Sequence, residues 1–128
     1  MKLSYIKDGY VNPTSPDWEA IDDGELDKLH LDDVLDFETD IHTALMKYIA
    51  KVRHGGALEI VGLDLLAVAR DLVITRTLDV PGAAKLLFDG RDASIDLPTL
   101  VKMVESRGFK VIQKRYDGYS YFLSAERL

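Results

Sequence analysis

The run Ala57, Leu58, Glu59, Ile60, Val61 constrains the fold more than any other stretch of the chain. It is apolar except at Glu59, has strand length and follows directly on Gly55 and Gly56. Such a segment reads as a strand buried on both faces, the position of a central strand in a parallel sheet. The residues before it supply the connection that a parallel strand needs. Ile41, Leu45, Tyr48, Ile49 and Val52 recur at helical spacing, with Thr39 as the candidate N-cap and Asp40 in the first turn. Lys51, Arg53 and His54 then crowd the expected last turn, where cations suit the negative end of the helix dipole, and Gly55 supplies the left-handed cap.

The flanking segments extend this pattern. Lys2–Ile6 and Tyr10–Asn12 are candidate short strands separated by Lys7, Asp8 and Gly9, and Pro13 to Gly24 is an irregular connection anchored by Trp18. Leu26 to Leu31 reads as a strand. After the central strand, Asp64 caps a helix running to about Val73. Asp79 with Pro81 opens another, through Phe88, which Asp89 and Gly90 end. Asp96 and Pro98 begin a last helix, with Leu100, Val101 and Val104 toward the core and Arg107 and Gly108 closing it. Phe109–Tyr116 and Tyr119–Ala125 flank Asp117 and Gly118, a pair favoured in tight hairpin turns. The order of elements predicts an α/β fold with a mixed sheet, parallel in the middle and ending in an antiparallel hairpin.

Composition limits the functions this fold can serve. At 128 residues one domain is expected. Net charge is −6, from 22 acidic and 16 basic residues, with much of the acidic excess between Asp17 and Asp40. This argues against nucleic acid or an anionic membrane as partner, since both are held by clustered Lys and Arg. With no cysteine, disulfides, thiolate catalysis and sulfur-ligated metals are excluded, and His30, His42 and His54 do not share metal-ligand spacing, so no metal is expected. No apolar run is long enough for a membrane span, and Met1–Tyr10 lacks the pattern of a secretion signal, so a cytoplasmic protein is expected.

Several motifs in order resemble class I S-adenosylmethionine-dependent methyltransferases. Asp27 to Phe37 is similar to the fourth strand and following loop of that family. There Val34 and Leu35 match, Asp36 stands for a glutamate and Phe37 replaces a histidine. Arg53, His54, Gly55, Gly56 resembles the turn into the fifth strand, with His54 in place of a proline. Leu97 to Gly108, the pair Gly108 and Phe109, and the Asp117–Gly118 hairpin resemble the closing helix and last two strands. The resemblance implies a Rossmann-like, methyltransferase-type mixed sheet. It covers residues 25–128 of a single domain, with residues 1–24 a divergent segment.

The family binds its cofactor with a glycine-rich loop after the first strand and an acid ending the second. Met1 to Gly24 holds no such loop, so the sheet is expected to be incomplete, and Asp17 is the one candidate for the ribose-binding acid. No cofactor is therefore expected, or S-adenosylmethionine if the chain is active. Asp32 and Asp33, at the carboxyl end of a parallel strand, and His30 on that strand are the candidate catalytic residues, although capping aspartates and a hydrogen-bonded buried histidine are the plainer readings. Tyr116, Tyr119, Tyr121 and Phe122 form an aromatic cluster that could stack a planar substrate. The stripe Leu63–Ile74 is apolar around most of its circumference, as deep burial or a second subunit would require. The expected function is a methyltransferase-like binding or oligomerisation module without independent catalysis, forming a homo-oligomer or pairing with a complete methyltransferase. The alternative is an active enzyme whose cofactor site a partner chain or a rebuilt N-terminal segment completes.

Overall fold

The computed structural model describes residues 18–32, 35, 39–88 and 95–128. The strands expected at Lys2–Ile6 and Tyr10–Asn12, and the helix end at Asp89 and Gly90, lie outside the described residues. The chain runs through β1 (Leu26–Asp32), α1 (Ile41–Ile49), β2 (Val52–Leu63), α2 (Leu65–Arg70), α3 (Val80–Phe88), α4 (Leu97–Glu105), β3 (Phe109–Asp117) and β4 (Ser120–Arg127). The strands form one sheet in the order β1-β2-β4-β3. β1 and β2 are parallel, and β4 is antiparallel to both β2 and β3. This is the α/β mixed sheet expected from the order of elements.

One face of the sheet carries the main core. Leu29 and Leu31 of β1, Leu58 and Ile60 of β2, and Leu123 of β4 are fully buried against Leu45 and Ile49 of α1 and Leu100 and Val104 of α4. The alternation along β2 shows how far the sequence reading holds. Leu58 and Ile60 are buried, while Ala57, Glu59 and Val61 are half-buried on the opposite face. At Gly62 an added Cβ would stand 2.6 Å from the Tyr121 hydroxyl, so the missing side chain is what admits that buried ring.

The end of α1 differs from expectation. Asp40, not Thr39, is the N-cap and accepts from the Thr43 amide at 3.1 Å. The helix stops at Ile49, because the Leu26 amide donates to the Lys51 carbonyl at 2.7 Å and Val52 pairs with Leu26. Strand pairing thus removes Lys51, Arg53 and His54 from the helix. Gly55, with φ 78°, and Gly56 instead form an irregularity in β2: Leu26 pairs with Val52, but Lys28 pairs with Ala57. A Cβ at Gly56 would lie 2.8 Å from the Arg53 carbonyl oxygen, so close backbone contact explains this glycine.

Asp64, Asp79 and Asp96 begin helices as expected, with Asp64 accepting from Ala67, Asp79 from Gly82 and Asp96 from Thr99. In the hairpin, Asp117 pairs with Ser120, so the two-residue loop is Gly118 and Tyr119, one position later than expected. Gly118 has φ 64°, which suits glycine at the first loop position. α2 continues into a wider π-helical turn, Asp71–Thr75. A smaller core gathers Leu63, Val68 and Ala83 at the carboxyl end of β2. The apolar stripe is therefore only partly buried, with Val73 and Ile74 each 72% exposed. Among the described residues no helix is long and apolar enough to cross a membrane.

Candidate functional site

Strand alternation sorts β1 into two sets. Leu29 and Leu31 enter the main core, so Lys28, His30 and Asp32 belong to the opposite face. Register then lines up that face across the sheet. His30 lies beside Glu59 and Ser124, and Asp32 lies in line with Val61, Phe122 and Arg115. These rows approach the carboxyl edge of β1 and β2, the edge where open α/β sheets bind ligands.

His30 is only 4% exposed. Its Nδ1 is 2.8 Å from Glu59 Oε1, and its Nε2 is 3.9 Å from Asp32 Oδ2. An ionised Glu59 can only accept, so His30 donates from Nδ1, a tautomer that presents Nε2 on the Asp32 side. The Asp32 side chain is 60% exposed. Together these groups border an open cleft of about 340 Å³. Val61 and Phe122 give it apolar surface, the Arg115 guanidinium carbon stands 4.2 Å from the Phe122 ring centroid, and Asp117 and Ser120 close the hairpin side. Glu59, Asp32 and Asp117 set three carboxylates against Arg115, so this surface is acidic whether His30 is neutral or protonated.

The predicted residues separate on this frame. His30 and Asp32 come together, while Asp33 and Asp17 lie outside the described residues. His42 is an exposed residue of α1, and His54 sits at the opposite end of the sheet, its Nδ1 2.7 Å from the Leu128 carbonyl oxygen. His54 is therefore not a helix-terminal cation. Among the described residues no group of three or more histidines and acids could hold a metal ion. The aromatic cluster disperses: Tyr121 is in the core, Phe122 in the cleft, Tyr116 partly exposed, and the Tyr119 hydroxyl donates to Asp71.

Glu59, Arg115, Asp117 and Ser120 were not evident as site residues, because only pairing between distant strands brings them to His30. Asp71 was also missed. It is buried, and accepts from the amides of Thr77 and Leu78, each at 3.1 Å, and from Tyr119. The Tyr119 hydrogen bond, followed by those amides, holds its carboxyl below the ordinary carboxylate range despite burial. The same bond raises the Tyr119 hydroxyl. This arrangement ties the turn after α2 to the hairpin and is structural.

No protein-family model and no curated protein matches the chain. Solved structures do. An O-methyltransferase family protein from Burkholderia thailandensis superposes with a TM-score of 0.61 at 20% identity, covering 85% of this chain. A Thermotoga maritima structure, described as a SAM-dependent methyltransferase and possible histamine N-methyltransferase, gives 0.59 at 15% identity over 84% of this chain. The chain has a methyltransferase-like fold. It spans 32% of the length of the first structure and 59% of the second.

Whether this methyltransferase-like sheet can seat S-adenosylmethionine turns on backbone access at the carboxyl edge. A nucleoside cofactor needs glycines there that leave open space beside the main chain. Gly62 leaves none, since Tyr121 fills the position of its Cβ, and Gly118 is used in the hairpin turn. This edge therefore offers no glycine cradle at Gly62, and the segment ahead of Trp18, where the family's cofactor loop would fall, lies outside the described residues.

Proposed function

We propose that the chain is a methyltransferase-like binding module that holds a small organic cation in the carboxyl-edge cleft and does not transfer methyl groups alone. The observation that carries this reading is the buried His30–Glu59 pair opening on an acidic cleft of about 340 Å³. The ammonium group would be held by the combined field of Asp32 and Asp117, which stand on the two edge strands, with the apolar body of the ligand against Val61 and Phe122 between them. Acidic walls raise the local concentration of cations, while the few fixed polar groups set orientation. The Thermotoga structure's description as a possible histamine N-methyltransferase makes histamine an apt first probe. Calorimetric titration should give saturable 1:1 binding that weakens at higher salt. Absence of saturation, or undiminished affinity in a His30→Ala, Asp117→Asn double variant, would refute the assignment.

A second reading, an active enzyme whose cofactor site is completed by a partner chain or by residues ahead of Trp18, draws on the His30 geometry. With Nδ1 held by Glu59, Nε2 is the atom that would take a proton from a bound acceptor. Titration with S-adenosylmethionine separates the two. Saturable micromolar binding together with methylation of the amine would replace the first reading with the second.

We also propose self-association through Val73, Ile74 and Val80, which are 72%, 72% and 74% exposed. Arg70 and Arg76 flank Val73 and Ile74 in sequence and Asp79 stands beside Val80, so a two-fold contact can set an arginine of one copy against Asp79 of the other. Sedimentation equilibrium should show a dimer that Ile74→Asp converts to monomer. A monomeric wild type at all accessible concentrations would refute the contact.

A further inference from the structure

We infer that the trough between α4 and β3 is a second ligand site, suited to a small carboxylate with a compact apolar body. Its lining is distinct from that of the acidic cleft except for Arg115, which borders both. Its origin lies in the β3 sequence. Phe109 and Val111 on the core-facing side pack against the main core, but beyond the irregularity at Ile112 the corresponding positions are Lys114, which pairs with Leu123, and Tyr116, which pairs with Tyr121. Long amphipathic side chains there do not fill the space beneath α4, which remains as an open trough of about 480 Å³.

α4 contributes Leu97, Pro98 and Val101, and β3 contributes Tyr116, so the lining is largely apolar. The rim is cationic. Lys102, Lys114 and Arg115 face one anion, Glu105, in a chain whose net charge is −6. Among the described residues no carboxylate lies within ion-pair distance of Lys102 or Lys114. Arg115 is held through its stacking on Phe122. An apolar trough with converging cations matches an apolar body carrying a negative group. A carboxylate is favoured over a dianionic phosphate because Arg115 is stacked on Phe122 and shared with the acidic cleft, so Lys102 and Lys114 against Glu105 leave a surplus of one cation.

The test uses the full chain and 4-phenylbutyrate, followed by calorimetry and by amide and methyl NMR shifts. Binding should be 1:1, with the largest shifts at Val101 and Tyr116. The neutral 4-phenylbutanol should bind about tenfold more weakly, and Lys114→Glu should weaken phenylbutyrate by about fivefold, as expected from losing one charge contact. Lys114 is exposed, so this variant should fold, and Val101→Asp should abolish binding. Equal affinity for the alcohol, unchanged affinity in Lys114→Glu, or shifts centred on His30 would overturn the proposal. Tighter binding of phenyl phosphate would overturn the choice of carboxylate.

Discussion

The two ends of the sheet use similar residues to opposite ends. At the amino end, donors are consumed by main-chain carbonyls that strand and helix termini leave over. Lys51 Nζ lies 2.8 Å from the Trp18 carbonyl oxygen, 3.0 Å from that of Ile21 and 4.5 Å from the Trp18 ring centroid, while the Trp18 ring packs edge-on against Tyr48. Arg127 donates to the Val52 carbonyl, and His54 meets that of Leu128. At the carboxyl edge, His30 pairs with a side chain, and Asp32, Arg115 and Asp117 border a cleft. A buried cation closing two orphan carbonyls has no capacity left for a ligand, whereas exposed charges around apolar floor do.

The largest effect should therefore come from the amino end. Lys51→Met keeps the apolar stem under Trp18 but removes the donor for two carbonyls in a buried setting, and should cost about 2–3 kcal/mol in urea unfolding. Histamine affinity should not change. A loss of affinity matching the loss of stability would erase the distinction between the two ends.

Tyr119→Phe addresses the hairpin side of the carboxyl edge and should act through pH. The Asp71 carboxyl is depressed in the folded protein, so its contribution is present above the unfolded value near 3.9 and is lost as pH falls through the folded one. The Tyr119 hydroxyl is raised, so its contribution is present below about pH 10 and is lost as pH rises through the folded value. The stability advantage of the wild type over Tyr119→Phe should be flat between about pH 5 and 9 and shrink on either side. A difference that is unchanged at pH 3 would mean that Asp71 does not depend on this hydrogen bond.

The elements were legible in sequence because their signals are local. Asp64 and Asp96 cap helices through amides three residues on, and the run Ala57–Val61 at β2 is apolar but for Glu59. What was not legible depended on competition or on pairing. Lys51, Arg53 and His54 look like a helix terminus until β1 is present to pair with Val52 and draw the chain into a strand. Likewise His30 and Asp32 could be placed at a carboxyl edge from one strand alone. Glu59 and Arg115 join them only through the registers of β2, β4 and β3. The partial burial of the Leu63–Ile74 stripe has the same cause, since periodicity reports apolar faces and not what covers them.

Within the cleft, Glu59→Gln should sharpen the comparison next. It preserves shape but lets the Glu59 position donate, so the Nδ1–H tautomer of His30 is no longer enforced. Histamine affinity should fall by about fivefold, with stability changed by about 1 kcal/mol because glutamine can still hydrogen-bond the buried ring. A stability loss as large as that of Lys51→Met would place the His30–Glu59 pair with the amino-end contacts as structural.

Asp32→Asn should have the smallest effect. Its side chain is 60% exposed, and its 3.9 Å approach to His30 Nε2 is longer than a hydrogen bond, so folding should be unaffected within about 0.5 kcal/mol. Its role in ligand capture is Coulombic, and water screens it. Histamine affinity should drop about threefold at low salt, and the difference should nearly vanish at 0.5 M salt, where the screening length falls to roughly 4 Å. A salt-independent loss would instead require direct, desolvated contact between Asp32 and the ammonium group, moving the ligand deeper toward His30 than the open geometry of the cleft implies.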